Sequence, residues 1–149
     1  MNRHEDADLD LLPAAWDDFV RSIRRARARN AGKHDADGLS LAQYLLLVPL
    51  LDEEPLASGE LAARAAVSPP SATRMIDTLV RGGIVERSNC PKDRRVVHVR
   101  LTDEGRVKLE AKQEYMRERR REIARAMSPA ERAEAARILR RMADLVDTL

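Results

Sequence analysis

Cysteine is almost absent from this chain of 149 residues: Cys90 stands alone, which excludes an internal disulfide and fits a reducing compartment. Aromatic side chains amount to 3%, and glycine and proline to six and seven residues. With 35% charged residues, that composition leans towards α-helix with charged outer faces. No apolar run approaches the roughly 20 residues needed to cross a bilayer. The N-terminal stretch MNRHEDADLD is acidic and lacks the apolar core of a secretory signal, so a cytoplasmic protein is expected. Catalytic signatures are missing too: there is no nucleophile elbow, phosphate-binding glycine loop or carboxylate pair with an evident role. Cys90 and His98 could be imagined as nucleophile and base, yet they fall on a loop tip and a strand with no sign of a pocket. His4, His34 and His98 form no metal-ligand spacing with Cys90 or with each other, so neither an enzyme nor a zinc or other cofactor site is expected.

What is present is an uneven distribution of charge. The net charge is only +2, but residues 64–100 hold eight Lys/Arg against three Asp/Glu, which leaves the remainder of the chain acidic. A surface that meets a polyanion carries this kind of local excess. With 44% hydrophobic residues the chain can bury a core as one domain, or as one domain with an elaboration.

Periodicity supplies the elements. Over 7–30, Leu12, Trp16, Phe19, Val20 and Ile23 recur at spacings of three and four among arginines, which predicts an amphipathic helix with one buried stripe. Asn30-Ala31-Gly32 is a stop signal, and His34 to Gly38 a polar loop. Ser40 can cap a second helix through Val48, apolar nearly all round and so central, which Pro49 should kink or end. Asp52 to Pro55 reads as a loop. Ser58 opens a short third helix, Val67 is the buried residue of a tight turn, and Ser68 caps a fourth helix with Pro69 at its first position. Two short helices joined in this way form a helix-turn-helix pattern. In the second of them Ala72, Met75, Ile76, Leu79 and Val80 share one face, leaving Ser71, Thr73, Arg74, Asp77, Thr78 and Arg81 on the other. Small polar side chains beside an arginine suit a DNA major groove, where bulky acids would repel phosphate.

Gly82-Gly83 ends that helix. Two β segments follow, Ile84 to Ser88 and Val96 to Leu101, joined by a hairpin whose tip carries Lys92, Asp93, Arg94 and Arg95. Arg87 and Arg100 are divided evenly between phosphate contact and plain surface. Thr102 caps a long helix to about Met127, and Ser128-Pro129-Ala130-Glu131 is a capping box for the last one. There, Ala135, Leu139, Met142, Val146 and Leu149 make an apolar stripe that most economically pairs with the first helix and with their copies in a second subunit. Arg117, Arg119, Arg120, Arg121 and Arg125 look like a second nucleic-acid patch, but Glu114, Glu118 and Glu122 are interleaved at pairing distances, so a salt-bridged solvated face is the better reading.

Four segments, LSLAQYLLL (39–47), ELAARAAVS (60–68), ATRMIDTLVRGGIVER (72–87) and DRRVVHVRLTDEG (93–105), occur in an order and spacing that resemble the MarR-type (multiple antibiotic resistance regulator) winged helix-turn-helix transcription factors. The resemblance covers essentially the whole chain. It implies a mainly α fold with a small β-hairpin wing, in which residues 39–105 form the winged DNA-binding region. Residues 1–38 and 106–149 would form the helical dimerisation region of a homodimer. It further implies a ligand-responsive repressor acting on double-stranded DNA at a pseudo-palindromic operator. Carried across by motif, Ser68, Ser71, Thr73, Arg74 and Thr78 would meet the major groove or its phosphates. Arg95, steered by Asp93, would enter the minor groove, and Arg94 would touch phosphate.

Relatives bind phenolic and other aromatic carboxylate effectors between the dimerisation helices and the winged domain, which makes Trp16 and Tyr44 candidate effector-binding residues; their spacing fits core packing as well. Cys90 sits in an electropositive wing that could lower its pKa. The peroxide-sensing branch instead keeps its reactive cysteine near the N-terminus, where this chain has none, so Cys90 is read as a bystander. Three positions depart from the family pattern. Thr78 stands where relatives often have a basic residue, Pro70 beside Pro69 deletes a second amide at the helix start, and Pro49 interrupts a helix usually continuous. A reading from a different class stays open: a winged-helix protein-interaction scaffold without operator binding.

Overall fold

The computed structural model describes residues 3–30, 38–89 and 96–148. The chain divides into two compact units, Met1–Ser40 and Leu41–Leu149. The first is built on helix α1, Arg3–Asn30, which runs through Pro13. The stripe expected to be buried on α1 is open in the single chain: Leu12, Trp16, Phe19 and Ile23 are all exposed, Phe19 by 57%. The periodicity identified the stripe, and its side chains are open to solvent.

The second unit begins with α2, Leu41–Leu47, which passes into a 3-10 turn over Val48–Leu51 at Pro49. Proline lacks the amide that an α-helix needs there, so the tighter turn takes over. Tyr44, Leu46, Leu47 and Leu50 are buried, whereas Leu45 is 48% exposed, so α2 is less completely enclosed than its composition suggests. A short strand β1, Leu56–Ala57, follows in the two residues that the sequence leaves unassigned between the loop ending at Pro55 and the helix beginning at Ser58. Two residues are too few for an alternating pattern to register.

Helices α3, Ser58–Arg64, and α4, Pro69–Arg81, pack against each other. The turn between them puts Ala66 at φ 52°, a left-handed conformation uncommon outside glycine. The amide of Val67 reaches back to the Ala62 carbonyl at 3.0 Å and closes the turn, leaving the Val67 side chain half-buried and not enclosed as expected. On α4, Ala72, Ile76 and Leu79 are buried; Val80, expected beside them, is 37% exposed because it lies at the rim of that face.

Strands β2, Val85–Asn89, and β3, Val97–Leu101, pair antiparallel with Val85 opposite Leu101 and Arg87 opposite Val99. β1 adds to the other edge of β3, giving the order β1-β3-β2. Val99 and Leu101 face the core, Arg100 faces out, and the alternation read from the sequence holds.

Helix α5, Asp103–Arg125, starts at Thr102, whose hydroxyl accepts from the Gly105 amide at 2.9 Å and donates to the Gly83 carbonyl at 2.6 Å. Gly105 allows this junction to close: a Cβ there would lie 1.8 Å from the carbonyl oxygen of Ile84. Farther along, Lys112 is buried with its Nζ 5.6 Å from the Tyr115 ring centre, a core position that its residue type conceals. Helix α6, Pro129–Val146, has the full capping box, with Ser128 and Glu131 exchanging backbone bonds. None of its described residues is buried, and Leu139, Leu145 and Val146 are more than half exposed. No described helix is long and apolar enough to cross a membrane.

Candidate nucleic-acid interface

The outward face of α4 is formed by its capping chemistry as much as by its periodicity. Pro69 and Pro70 supply no amide hydrogens, and the next amide, that of Ser71, is taken by the Ser68 hydroxyl at 3.4 Å. The helix start therefore offers hydroxyls in place of main-chain donors. Ser68 Oγ donates to Ser71 Oγ at 2.9 Å, a bond that does not use the Ser71 hydroxyl hydrogen. Thr73 and Thr78 donate their hydroxyls back into the helix, to the carbonyls of Pro69 at 2.9 Å and Arg74 at 3.1 Å. What they present outward is a methyl group and acceptor lone pairs. Ser68, Ser71, Thr73, Arg74 and Thr78 are all exposed.

Bookkeeping of partners sorts the cations of this region. Arg64 bridges Glu53 at 2.8 Å and Glu60 at 2.6 Å, and those hydrogen bonds hold its proton more tightly than usual. Arg87 on β2 reaches back to Asp77 on α4 at 2.6 Å. Arg100 pairs across the strands with Glu86. Arg81 donates to Thr78 at 3.2 Å. Arg74 has no carboxylate partner among the described residues. Arg87 and Arg100, left divided between phosphate contact and plain surface by the sequence, each meet an acid that their sequence separation hides.

Glu54 is a further residue the sequence did not single out. One carboxylate oxygen accepts from the Leu101 amide at 3.0 Å and the other from Arg106 at 2.8 Å, joining the segment before β1 to the end of β3 and the start of α5. A bond across 47 residues leaves no local trace in a sequence. Beside it an open surface cavity of about 540 Å³ is lined by Glu54, Glu86, Arg100 and Arg106 among others.

Asp93, Arg94, Arg95 and Cys90 lie outside the described residues. Of the two candidate effector residues, Tyr44 is buried and Trp16 is 49% exposed on α1. Among the described residues no group of three or more His, Cys, Asp or Glu could hold a metal ion.

Helix, turn, capped helix and a strand pair in series match known proteins. Residues 39–97 match the sequence profile of the MarR family. The HTH-type transcriptional repressor MdtR of Bacillus subtilis (strain 168) is 33% identical over 117 residues, spanning 76% of this chain and 74% of MdtR. The chain belongs to the MarR family. Similar solved structures include FabT of Streptococcus pneumoniae, crystallised in complex with DNA. FabT has a TM-score of 0.78 at 19% identity, with 91% of this chain and 97% of FabT covered. PcaV of Streptomyces coelicolor, crystallised with its natural ligand, gives a TM-score of 0.68 at 21% identity, covering 85% of this chain and 89% of PcaV. At those identities the two structures establish the winged-helix fold, which in MarR-family terms assigns α3 and α4 to the helix-turn-helix and β2 with β3 to the wing.

Proposed function

We propose that this MarR-family chain is a sequence-specific double-stranded-DNA-binding transcriptional regulator, a repressor acting as a cytoplasmic homodimer and released by a small aromatic or phenolic effector. The observation that carries the reading is the outward face of α4, where exposed hydroxyls flank an arginine without a carboxylate partner among the described residues. Arg74 is free to form a bidentate contact with guanine in the major groove, and Ser71 to donate to phosphate. The wing residues enter by resemblance: Arg95 reading the minor groove with Asp93 fixing its geometry, and Arg94 on phosphate. Open apolar side chains on α1 and α6 supply the surface that residues 1–38 and 106–149 would use to dimerise. Effector release draws on the ligand-bound PcaV structure, with Trp16 and Tyr44 as the residues to examine first. No catalytic role is assigned.

The test is selection of bound fragments from genomic DNA, followed by gel shift. A dimer with two-fold symmetry should recover a pseudo-palindrome with half-sites about one helical turn apart. Binding should weaken steeply as salt rises. Failure to retain any duplex at low salt, together with co-purification of a protein partner, would hand the molecule to the scaffold reading. A screen of aromatic acids against the selected duplex then tests release.

A further inference from the structure

The ion pair between Arg87 and Asp77 stands 10 residues apart in sequence and joins the base of the wing to the middle of α4. Asp77 is the only acid on α4, and it sits on the outward side, with its side chain 40% exposed. Left alone, that carboxylate would do one of two things. It would face incoming phosphates as a bare negative charge, or it would recruit a cation from its own helix. Arg74 lies three residues before it and Arg81 four residues after, both within intrahelical pairing reach. Neither is paired with Asp77; its partner at 2.6 Å comes from β2.

Resting on the DNA-binding reading above, we propose that Arg87 is a positioning residue for DNA recognition. By occupying Asp77 it keeps Arg74 and Arg81 out of an intrahelical ion pair and leaves them to the duplex. Arg87 itself makes no base contact. Its cation cancels the acid of α4 at the point where that acid would do most harm, and the β2 backbone supplies the fixed position from which it does so, with Arg87 held opposite Val99 in the strand register. The guanidinium is held against the carboxylate from a fixed strand position, which a mobile counterion from solution is not.

The prediction separates charge from architecture, because two variants that both lack the ion pair should behave differently. Affinity is measured by fluorescence anisotropy on the duplex selected by the unaltered protein, with melting temperature followed in parallel. Arg87→Ala, which strands Asp77, should weaken binding by about tenfold or more, the scale of losing one good arginine contact. Adding Asp77→Asn to it should restore affinity to within about twofold while leaving the melting temperature where Arg87→Ala put it, since neither variant regains the strut. Asp77→Asn alone should bind at least as well as the unaltered chain, and Arg87→Lys should stay close to it. If the double variant binds as weakly as Arg87→Ala, Arg87 touches phosphate directly or matters only as a strut, and the inference fails. Unchanged binding by Arg87→Ala also defeats it. If the unaltered protein selects no duplex at all, it is the DNA-binding reading that falls, and this inference with it.

Discussion

Two helices of this protein, α4 and α5, use arginine in opposite ways. On α5, Arg117 pairs with Glu114 at 2.6 Å, Arg119 with Glu122 at 2.7 Å, and Arg121 with Glu114 at 3.4 Å and Glu118 at 3.6 Å; Arg125 also reaches Glu118. On α4, Arg74 stands among hydroxyls, and the nearby acid is engaged from another element. A count of positive residues would rank α5 above α4 as a polyanion surface. The partners reverse that order, because a cation already meeting a carboxylate contributes little net field to a distant phosphate. The lesson is that the relevant quantity is uncommitted charge on a correctly shaped face.

The comparison breaks most visibly if α4 is disarmed. Replacing Arg74 and Arg95 together by alanine should cost on the order of 2–6 kcal/mol of operator affinity if the two contacts add, read as a shift in the gel-shift midpoint. A variant that holds the selected duplex as firmly as the unaltered protein would remove α4 and the wing from the interface altogether.

Next in size is the junction that aims the two helices. Gly105→Ala places a Cβ 1.8 Å from the Ile84 carbonyl oxygen, a backbone atom that cannot swing aside. A stability loss of about 3 kcal/mol is expected, at the top of the range for overpacking, measured by urea denaturation. An unchanged midpoint would show that the α5 start is looser than these contacts require.

Much of this architecture is legible in the sequence because it is local. Caps at Ser68, Thr102 and Ser128, the breaks at Pro49 and Gly83, and the alternation of β3 all announce themselves within a few residues. Contacts between distant segments do not. Glu54 bonding to Leu101 and Arg106, Asp77 paired with Arg87, β1 completing the sheet, and Lys112 buried in α5 each depend on tertiary placement, and none leaves a periodic signal. On α1 the apolar stripe is legible in the sequence, while its exposure is not: Leu12, Trp16, Phe19 and Ile23 are open to solvent. Amphipathicity identifies a face that will be covered, without saying whose surface covers it.

That face gives a middle-sized prediction. Leu139 on α6 is 61% exposed, and Leu139→Glu would place a charge in the stripe proposed to pair two copies of the chain. Self-association should weaken at least tenfold, the scale of an apolar interface anchor, as judged by sedimentation across a dilution series. Operator affinity should then become dependent on protein concentration. If the variant sediments as the unaltered chain does, α6 lies outside the dimer.

The smallest effect sharpens the contrast from the other side. Arg117 begins the ladder fourteen residues beyond the start of α5, roughly 21 Å along the axis at 1.5 Å per residue. At physiological salt, charges act over about 8 Å, so replacing Arg117 and Arg121 by alanine should change operator affinity by no more than about twofold. At about 10 mM salt the screening length grows to roughly 30 Å, and the same variant should then bind measurably less well, because Glu114 and Glu118 lose cations while keeping their charge. Hydrogen bonding from Arg125, with Arg121 adding to it, holds the Glu118 carboxyl below its ordinary value of 4.5. The pairing is thus complete above that ordinary value and is lost only as pH falls through the lowered one, so the low-salt difference should persist unchanged between pH 6 and 8. A tenfold loss at physiological salt would instead mean that α5 touches the duplex directly, and the distinction between committed and uncommitted arginines would no longer separate the two helices.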